Sequence, residues 1–194
     1  GPATRTVFEG SQIDVTGTFT DPGTADTHTL RWHVTANNGQ VIADGSNANF
    51  SFVPFDNDTY TVTFTVTDSD QESGVAVVNV NVLNANPIPQ IIGLPARGTV
   101  GVPIHLTSSI SDPSSVDEMA GLTMNWFADL TPDYDVEFSA TTPDFTFTPT
   151  EPGIWDLALI VRDKDFGRGV FQIFLDVLPA DTSSPPTDIS LDTN

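Results

Sequence analysis

Two short aspartate pairs, Asp68-Ser69-Asp70 and Asp163-Lys164-Asp165, stand ninety-five residues apart in the chain. Each is preceded by two more aspartates at corresponding places, Asp21 and Asp26 before the first and Asp112 and Asp117 before the second. Grouped carboxylates can share general acid and base work in a cleft around a substrate. They can also hold a hard cation such as calcium, which takes about six to eight oxygen ligands. A plainer use is open to them as well, because Asp side chains cap backbone N–H groups in turns.

Which use applies depends on the elements that carry them. Residues 50–70 read FSFVPFDNDTYTVTFTVTDSD, and residues 145–165 read FTFTPTEPGIWDLALIVRDKD. Phe50 pairs with Phe145, Phe52 with Phe147, Pro54 with Pro149, Tyr60 with Trp155, Val62 with Leu157, Phe64 with Leu159 and Val66 with Val161. Every second residue matches and is apolar, which is the period of strands with one face buried. Upstream the pairs are Gly10 with Gly101, Ile13 with Ile104, Val15 with Leu106, Phe19 with Ile110, Asp21 with Asp112 and Pro22 with Pro113, at a different offset. The change of offset places an insertion in the loop before Trp126, where loops accept extra residues and strands do not.

Leu30, Trp32 and Val34 alternate into a further strand, residues 75–83 give a last one, and Asn37-Asn38-Gly39 is a turn signal. Nothing reads as a long helix. Short strands, frequent turns and a buried Trp on a middle strand predict an all-β chain of two tandem seven-stranded immunoglobulin-like Greek-key sandwiches. The expected boundaries are 3–85 and 86–180, with Gly1-Pro2 as a protease-cleavage scar and 181–194 as a linker or tail. Tyr60, two residues after Asp58, falls where such folds place a tyrosine corner; Trp155 replaces it in the second copy.

In such a sandwich the strand over residues 11–19 and the strand ending at Asp68 run the same way. Asp21, Asp26, Asp68 and Asp70 are therefore expected at one tip, and Asp112, Asp117, Asp163 and Asp165 at the matching tip of the second copy. Convex loop tips lack the cleft that a catalytic pair needs, whereas four carboxylates in one place call for a cation. Glu9 lies at the other end of the first sandwich, about 30 Å from Asp21 at ~3.3 Å per strand residue. It is expected to face the junction with the second sandwich, beside the turn Asp56-Asn57-Asp58. The second copy has Val100 in its place.

The bulk composition narrows the partners. With 26 acidic against 6 basic residues, a net charge of −20 and a single lysine, Lys164, the surface repels a nucleic-acid backbone. No apolar run is long enough for a membrane-spanning helix, so membrane insertion is not expected. The absence of cysteine excludes disulfides and thiolate chemistry. His28, His33 and His105 follow no ligand spacing, and no nucleophile elbow or phosphate loop occurs, so no enzyme activity is expected.

The segments FEG (8–10), FTDPGTADTHTLRW (19–32) and DTYTVTFTVTDSD (58–70), with ISDP (110–113) and IVRDKDFG (160–167), resemble the PKD-type repeat of secreted bacterial and archaeal proteins. The likeness departs after the Trp, where the usual W-D-F-G-D-G is replaced by Trp32-His33-Val34-Thr35 and Trp126-Phe127-Ala128-Asp129. Residues 185–191, PPTDISL, resemble the opening strand of cadherin-like bacterial repeats. The PKD resemblance implies calcium held by the start of the first strand together with the loops after the second and sixth strands, which in the second copy adds the linker residues Asn84 and Asn86. Cadherin-type repeats use a glutamate comparable to Glu9. The implied protein is an extracellular or cell-surface spacer or adhesion segment of a longer multidomain chain, stiffened by calcium, with neighbouring domains of the same chain as its partners.

A second candidate surface comes from comparing outward strand positions. Arg31, His33, Thr61, Thr63, Thr65 and Asn79 in the first copy correspond to Asn125, Phe127, Asp156, Ala158, Ile160 and Phe174 in the second. Phe127, Ile160 and Phe174 therefore form a candidate contact surface for another protein or a surface polysaccharide, as in an accessory binding module of a secreted hydrolase. The alternative is that the loop around Tyr134 and Phe138 covers them.

Overall fold

The computed structural model describes residues 3–23, 25–132 and 135–180. Gly1-Pro2, expected to be a cleavage scar, Tyr134, and residues 181–194, expected to be a linker or tail with the PPTDISL segment, lie outside the described residues. The first sandwich comprises β1 (Ala3–Phe8), β2 (Ile13–Thr16), β3 (His28–Ala36), β4 (Asn49–Phe52), β5 (Asp58–Asp68) and β6 (Ser73–Leu83). The second comprises β7 (Ile88–Ile92), β8 (Gly98–Thr99), β9 (Ile104–Ser111), a helix α1 (Ser115–Ala120), β10 (Thr123–Leu130), β11 (Phe138–Ala140), β12 (Asp144–Phe147), β13 (Gly153–Arg162) and β14 (Arg168–Leu178).

The sheets are immunoglobulin-like. One four-stranded sheet runs β1-β6-β5-β3 and faces the pair β2-β4; a five-stranded sheet runs β11-β10-β13-β14-β8, with β12-β9-β7 as its counterpart. In each copy a strand near the start pairs parallel with the last strand, β1 with β6 and β8 with β14. The described residues thus form six strands in one copy and eight in the other, against seven expected in each.

Alternation explains the core. Along β5, Tyr60, Val62 and Phe64 are buried, with Trp32 and Val34 of β3 paired opposite Phe64 and Val62. Along β13, Trp155, Leu157, Leu159 and Val161 are buried, as are Trp126, Phe145 and Phe147, with the Trp155 ring 5.7 Å from Phe147. The Tyr60 hydroxyl donates to the Asp56 carbonyl at 3.1 Å, closing the expected corner, and Trp155 Nε1 donates to the Glu151 carbonyl at 3.2 Å in the equivalent place. Two expectations change. β2 stops at Thr16 instead of running to residue 19: the Gly17 N–H to Ala48 carbonyl bond still follows the β2–β4 register, but Phe19 beyond it is exposed against His28. The longer loop before Trp126 is not irregular, since it contains α1.

By contact the chain falls into two compact units. Among the described residues, the first takes those up to 88 together with 110–123 and 161–169; the second takes 89–109, 124–160 and those from 170 on. No described helix is long and apolar enough to cross a membrane.

Candidate metal centre

Glu9 is set by its backbone. Gly10 has φ +73°, and a Cβ there would meet the Pro113 carbonyl oxygen at 2.7 Å, so both conformation and space require glycine. Glu9 N–H donates to the Leu83 carbonyl at 3.0 Å, and Gly10 N–H to the Pro54 carbonyl at 2.9 Å. The Glu9 side chain is 1% exposed. Its Oε1 accepts the Ala85 N–H at 2.8 Å, while Oε2 is buried without a hydrogen-bond partner.

Asp112 and Asp117 come from the chain around α1. Ser114 adopts extended φ/ψ and caps the helix, its hydroxyl accepting the Asp117 N–H at 3.2 Å and donating to the Phe55 carbonyl at 2.7 Å. Gly121, at φ +93°, closes the other end. So short a helix gains little from its own hydrogen bonds; its effect is to hold Asp117 fully buried. Asp112 Oδ1 accepts the Ser114 N–H at 2.8 Å, and its Oδ2 is buried without a partner.

The turn after β13 supplies the rest. Asp163 Oδ1 accepts the N–H groups of Asp165 and Gly167, and its Oδ2 accepts Asn84 Nδ2 at 3.0 Å. Asn84 Oδ1 is a further buried oxygen without a partner, whereas Asn86 Oδ1 accepts the Arg168 N–H at 3.0 Å. A Cβ on Gly167 would collide with Asp163 Oδ2 and stand 2.6 Å from Asn84 Nδ2. All of these residues belong to the first compact unit.

Two carboxylate triads result. Glu9, Asp112 and Asp117 each place an oxygen within 4.8 Å of the others, as do Asp56, Asp117 and Asp165. At an effective dielectric near 20, each ionised pair at such a distance repels by roughly 3 kcal/mol. The second triad answers this with Lys164, whose Nζ lies 2.8 Å from Asp56 Oδ1, 2.8 Å from Asp117 Oδ1 and against Asp165 Oδ2. Burial works against that ammonium, but its carboxylate partners outweigh burial and hold its pKa well above the ordinary lysine range. The Asn57 amide, with its nitrogen turned toward the cluster, donates to Asp165 Oδ2 and Asp56 Oδ1.

The first triad has no such partner and shifts instead. Burial, with Asp117 and Asp56 adding to it against the backbone N–H groups of Ala85 and Asn57, pushes Glu9 up to about 7. Burial also raises Asp112, helped by Asp117 and Asp163. Asp117 is raised by burial too, despite Lys164. Buried, mutually repelling oxygens with unused lone pairs are the donor set that a hard divalent cation satisfies. Glu9, Asp112 and Asp117 are the groups able to hold one, and the Asn84 carbonyl oxygen is a further orphaned acceptor one residue before the Ala85 N–H that Glu9 binds.

The first-copy tip is arranged differently. Asp21 Oδ1 accepts the Gly23 N–H and its Oδ2 lies 2.7 Å from His28 Nε2, contacts that lower its pKa, His28 foremost. Asp68 Oδ1 accepts the N–H groups of Asp70 and Glu72, and Asp26 accepts the Ser69 hydroxyl. Asp70 itself is exposed. Asp21 and Asp68 cap local turns, and none of the four belongs to either triad.

On the second copy Phe174 is 60% exposed, while Phe127 and Ile160 are half-buried, all three opposite the buried face of their strands. Phe138 does not cover them, since its ring packs on Phe147 and Trp155 at 5.7 and 5.8 Å. The places of Asp56 and Lys164 in the cluster were not read from sequence; the lone lysine between two aspartates was the available signal.

No protein-family model matches the sequence, nor does any curated protein. Among solved structures, the chain is similar to the fibronectin(III)-like modules of Clostridium thermocellum CbhA, with 15% identity over 97% of this chain and 96% of that one and a TM-score of 0.41. It is likewise similar to the amphioxus IgVJ-C2 molecule, with 14% identity over 88% of this chain and 99% of that one and a TM-score of 0.40. These likenesses concern the fold, and no residue role is carried over from either protein.

Proposed function

We propose that the chain is a non-enzymatic extracellular spacer or adhesion segment that folds around one calcium ion held by Glu9, Asp112 and Asp117, with Asn84 Oδ1 beside them. The observation that carries this reading is the set of buried oxygens without partners, Glu9 Oε2, Asn84 Oδ1 and Asp112 Oδ2. Orphaned buried acceptors are costly unless a ligand satisfies them. The ion would supply charge neutralisation and fasten the 84–86 linker and the Asp112–Asp117 segment to the base of β1. The chain's own residues prepare for it by fixing Glu9 through the Ala85 N–H, Asp112 through the Ser114 N–H and Asp117 through the Lys164 ammonium.

Thermal melts in calcium and in chelator test the reading. A ligand bound only by the folded state at a hundredfold excess over Kd stabilises by about 2.7 kcal/mol, which corresponds to roughly 5–10 °C for a chain of this size. Superimposed melts reject it. A second reading, a protein- or glycan-binding module using Phe174, rests on that residue's 60% exposure. Specific retention on a polysaccharide or protein ligand, abolished by Phe174→Ala, would favour it.

A further inference from the structure

The two triads share Asp117, yet only one of them holds a cation belonging to the chain. Lys164 brings three N–H donors to three carboxylates, one each from Asp56, Asp117 and Asp165. Its nitrogen stands 2.8 Å from two of them, a little beyond the ~2.3–2.6 Å of a calcium–oxygen bond. The shared Asp117 is fully buried, and its second oxygen, Oδ2, has no hydrogen-bond partner.

We propose that Lys164 is a tethered cation filling what would otherwise be a second divalent-metal position among Asp56, Asp117 and Asp165. The chain then takes one calcium ion, bridged to the ammonium through Asp117. Resting on the calcium reading above, this deepens it by fixing the stoichiometry and the role of the sole lysine. The ammonium occupies its position at any calcium concentration, so the second triad keeps a cationic partner when the first is empty. It also sets a limit, because a +1 group sits where the oxygen set could hold a +2 ion. Three carboxylates, those of Asp56, Asp117 and Asp165, contact the one lysine, and Glu9 and Asp112 adjoin them through Asp117, leaving ample negative charge for a second ion once the lysine is gone.

Native mass spectrometry and calorimetric titration with calcium alone, on the full chain, decide the matter. The expected result is one ion for the wild type, two for Lys164→Met, and one again for Lys164→Met combined with Asp56→Asn. A measurement that needs no variant accompanies them: amine-reactive labelling of Lys164 read by peptide mass, expected to stay slow and not to accelerate in millimolar calcium. Two ions in the wild type, or labelling that calcium accelerates severalfold, overturns the tethered-cation proposal and leaves the calcium reading standing. One ion in both wild type and Lys164→Met does the same. No ion in the wild type but one in Lys164→Met, lost on Asp56→Asn, overturns the calcium reading at Glu9 and upholds the role of Lys164. No ion in either protein overturns both.

Discussion

Glu9 accepts the Ala85 backbone N–H through one carboxylate oxygen at 2.8 Å and leaves the other buried without a partner. One half of the side chain thus joins the first sandwich to the linker, and the other half is available to a ligand. Glu9→Gln keeps the hydrogen bond and removes the charge. In chelator the variant is expected to melt at or above the wild-type temperature, because repulsion from Asp117 is relieved. In calcium its stabilisation should fall, with affinity at least about tenfold weaker, or about 1.4 kcal/mol. Calorimetry alongside paired melts measures both.

The pH dependence of the metal-free protein follows from the same residue. Glu9 is raised in the folded state from 4.5 to about 7, so folding takes up a proton between those values. Its contribution to stability is fully present below about 4.5 and is lost as pH rises through about 7. Asp112 and Asp117, also raised, act in the same direction. Melting in chelator is expected to be lower at pH 7.5 than at pH 5.5, and the gain from calcium is expected to grow over that interval. A calcium effect that is constant with pH would contradict this assignment.

Gly167→Ala tests the packing of the turn after β13. The added methyl collides with Asp163 Oδ2 and approaches Asn84 Nδ2 at 2.6 Å and Asn86 Oδ1 at 3.0 Å. The Asn84–Asp163 hydrogen bond must give way, at an overpacking cost of about 1–3 kcal/mol. Denaturant titration should show a lower midpoint with unchanged slope, and calcium affinity should fall with it.

Tyr60→Phe separates the fold from the cluster. The hydroxyl shares its single proton between Gln40 Oε1 at 2.7 Å and the Asp56 carbonyl at 3.1 Å, and it accepts from Asn38 Nδ2 at 2.8 Å. Its loss is expected to cost about 1–2 kcal/mol, since partners are left unsatisfied around a buried ring. The calcium-induced shift should survive, because Asp56 is a triad member that does not belong to the Glu9 set.

Much of the architecture was legible because strand periodicity survives substitution: Phe64 and Leu159 differ in shape, but both are buried at the same step. Less visible was the difference between an aspartate that caps its own turn and one that keeps an oxygen free. Asp68 and Asp163 both accept the N–H groups of the two and four residues that follow; only Asp163 is also met by Asn84, from a distant part of the chain. The helix α1 is too short to show a period of its own, and Lys164 reaches partners that local sequence does not reveal.

The paired clasps, Gly10 to Pro54 and Gly101 to Pro149, have nearly the same geometry, with N–O distances of 2.9 and 3.0 Å and glycine φ of +73° and +78°. Each holds the preceding residue by an N–H bond to the end of the last strand, Glu9 to Leu83 and Val100 to Leu178. The clasp is therefore a socket that the fold reproduces regardless of its occupant, and ion chemistry can enter or leave a repeat of this kind through one interchangeable side chain without redrawing the backbone.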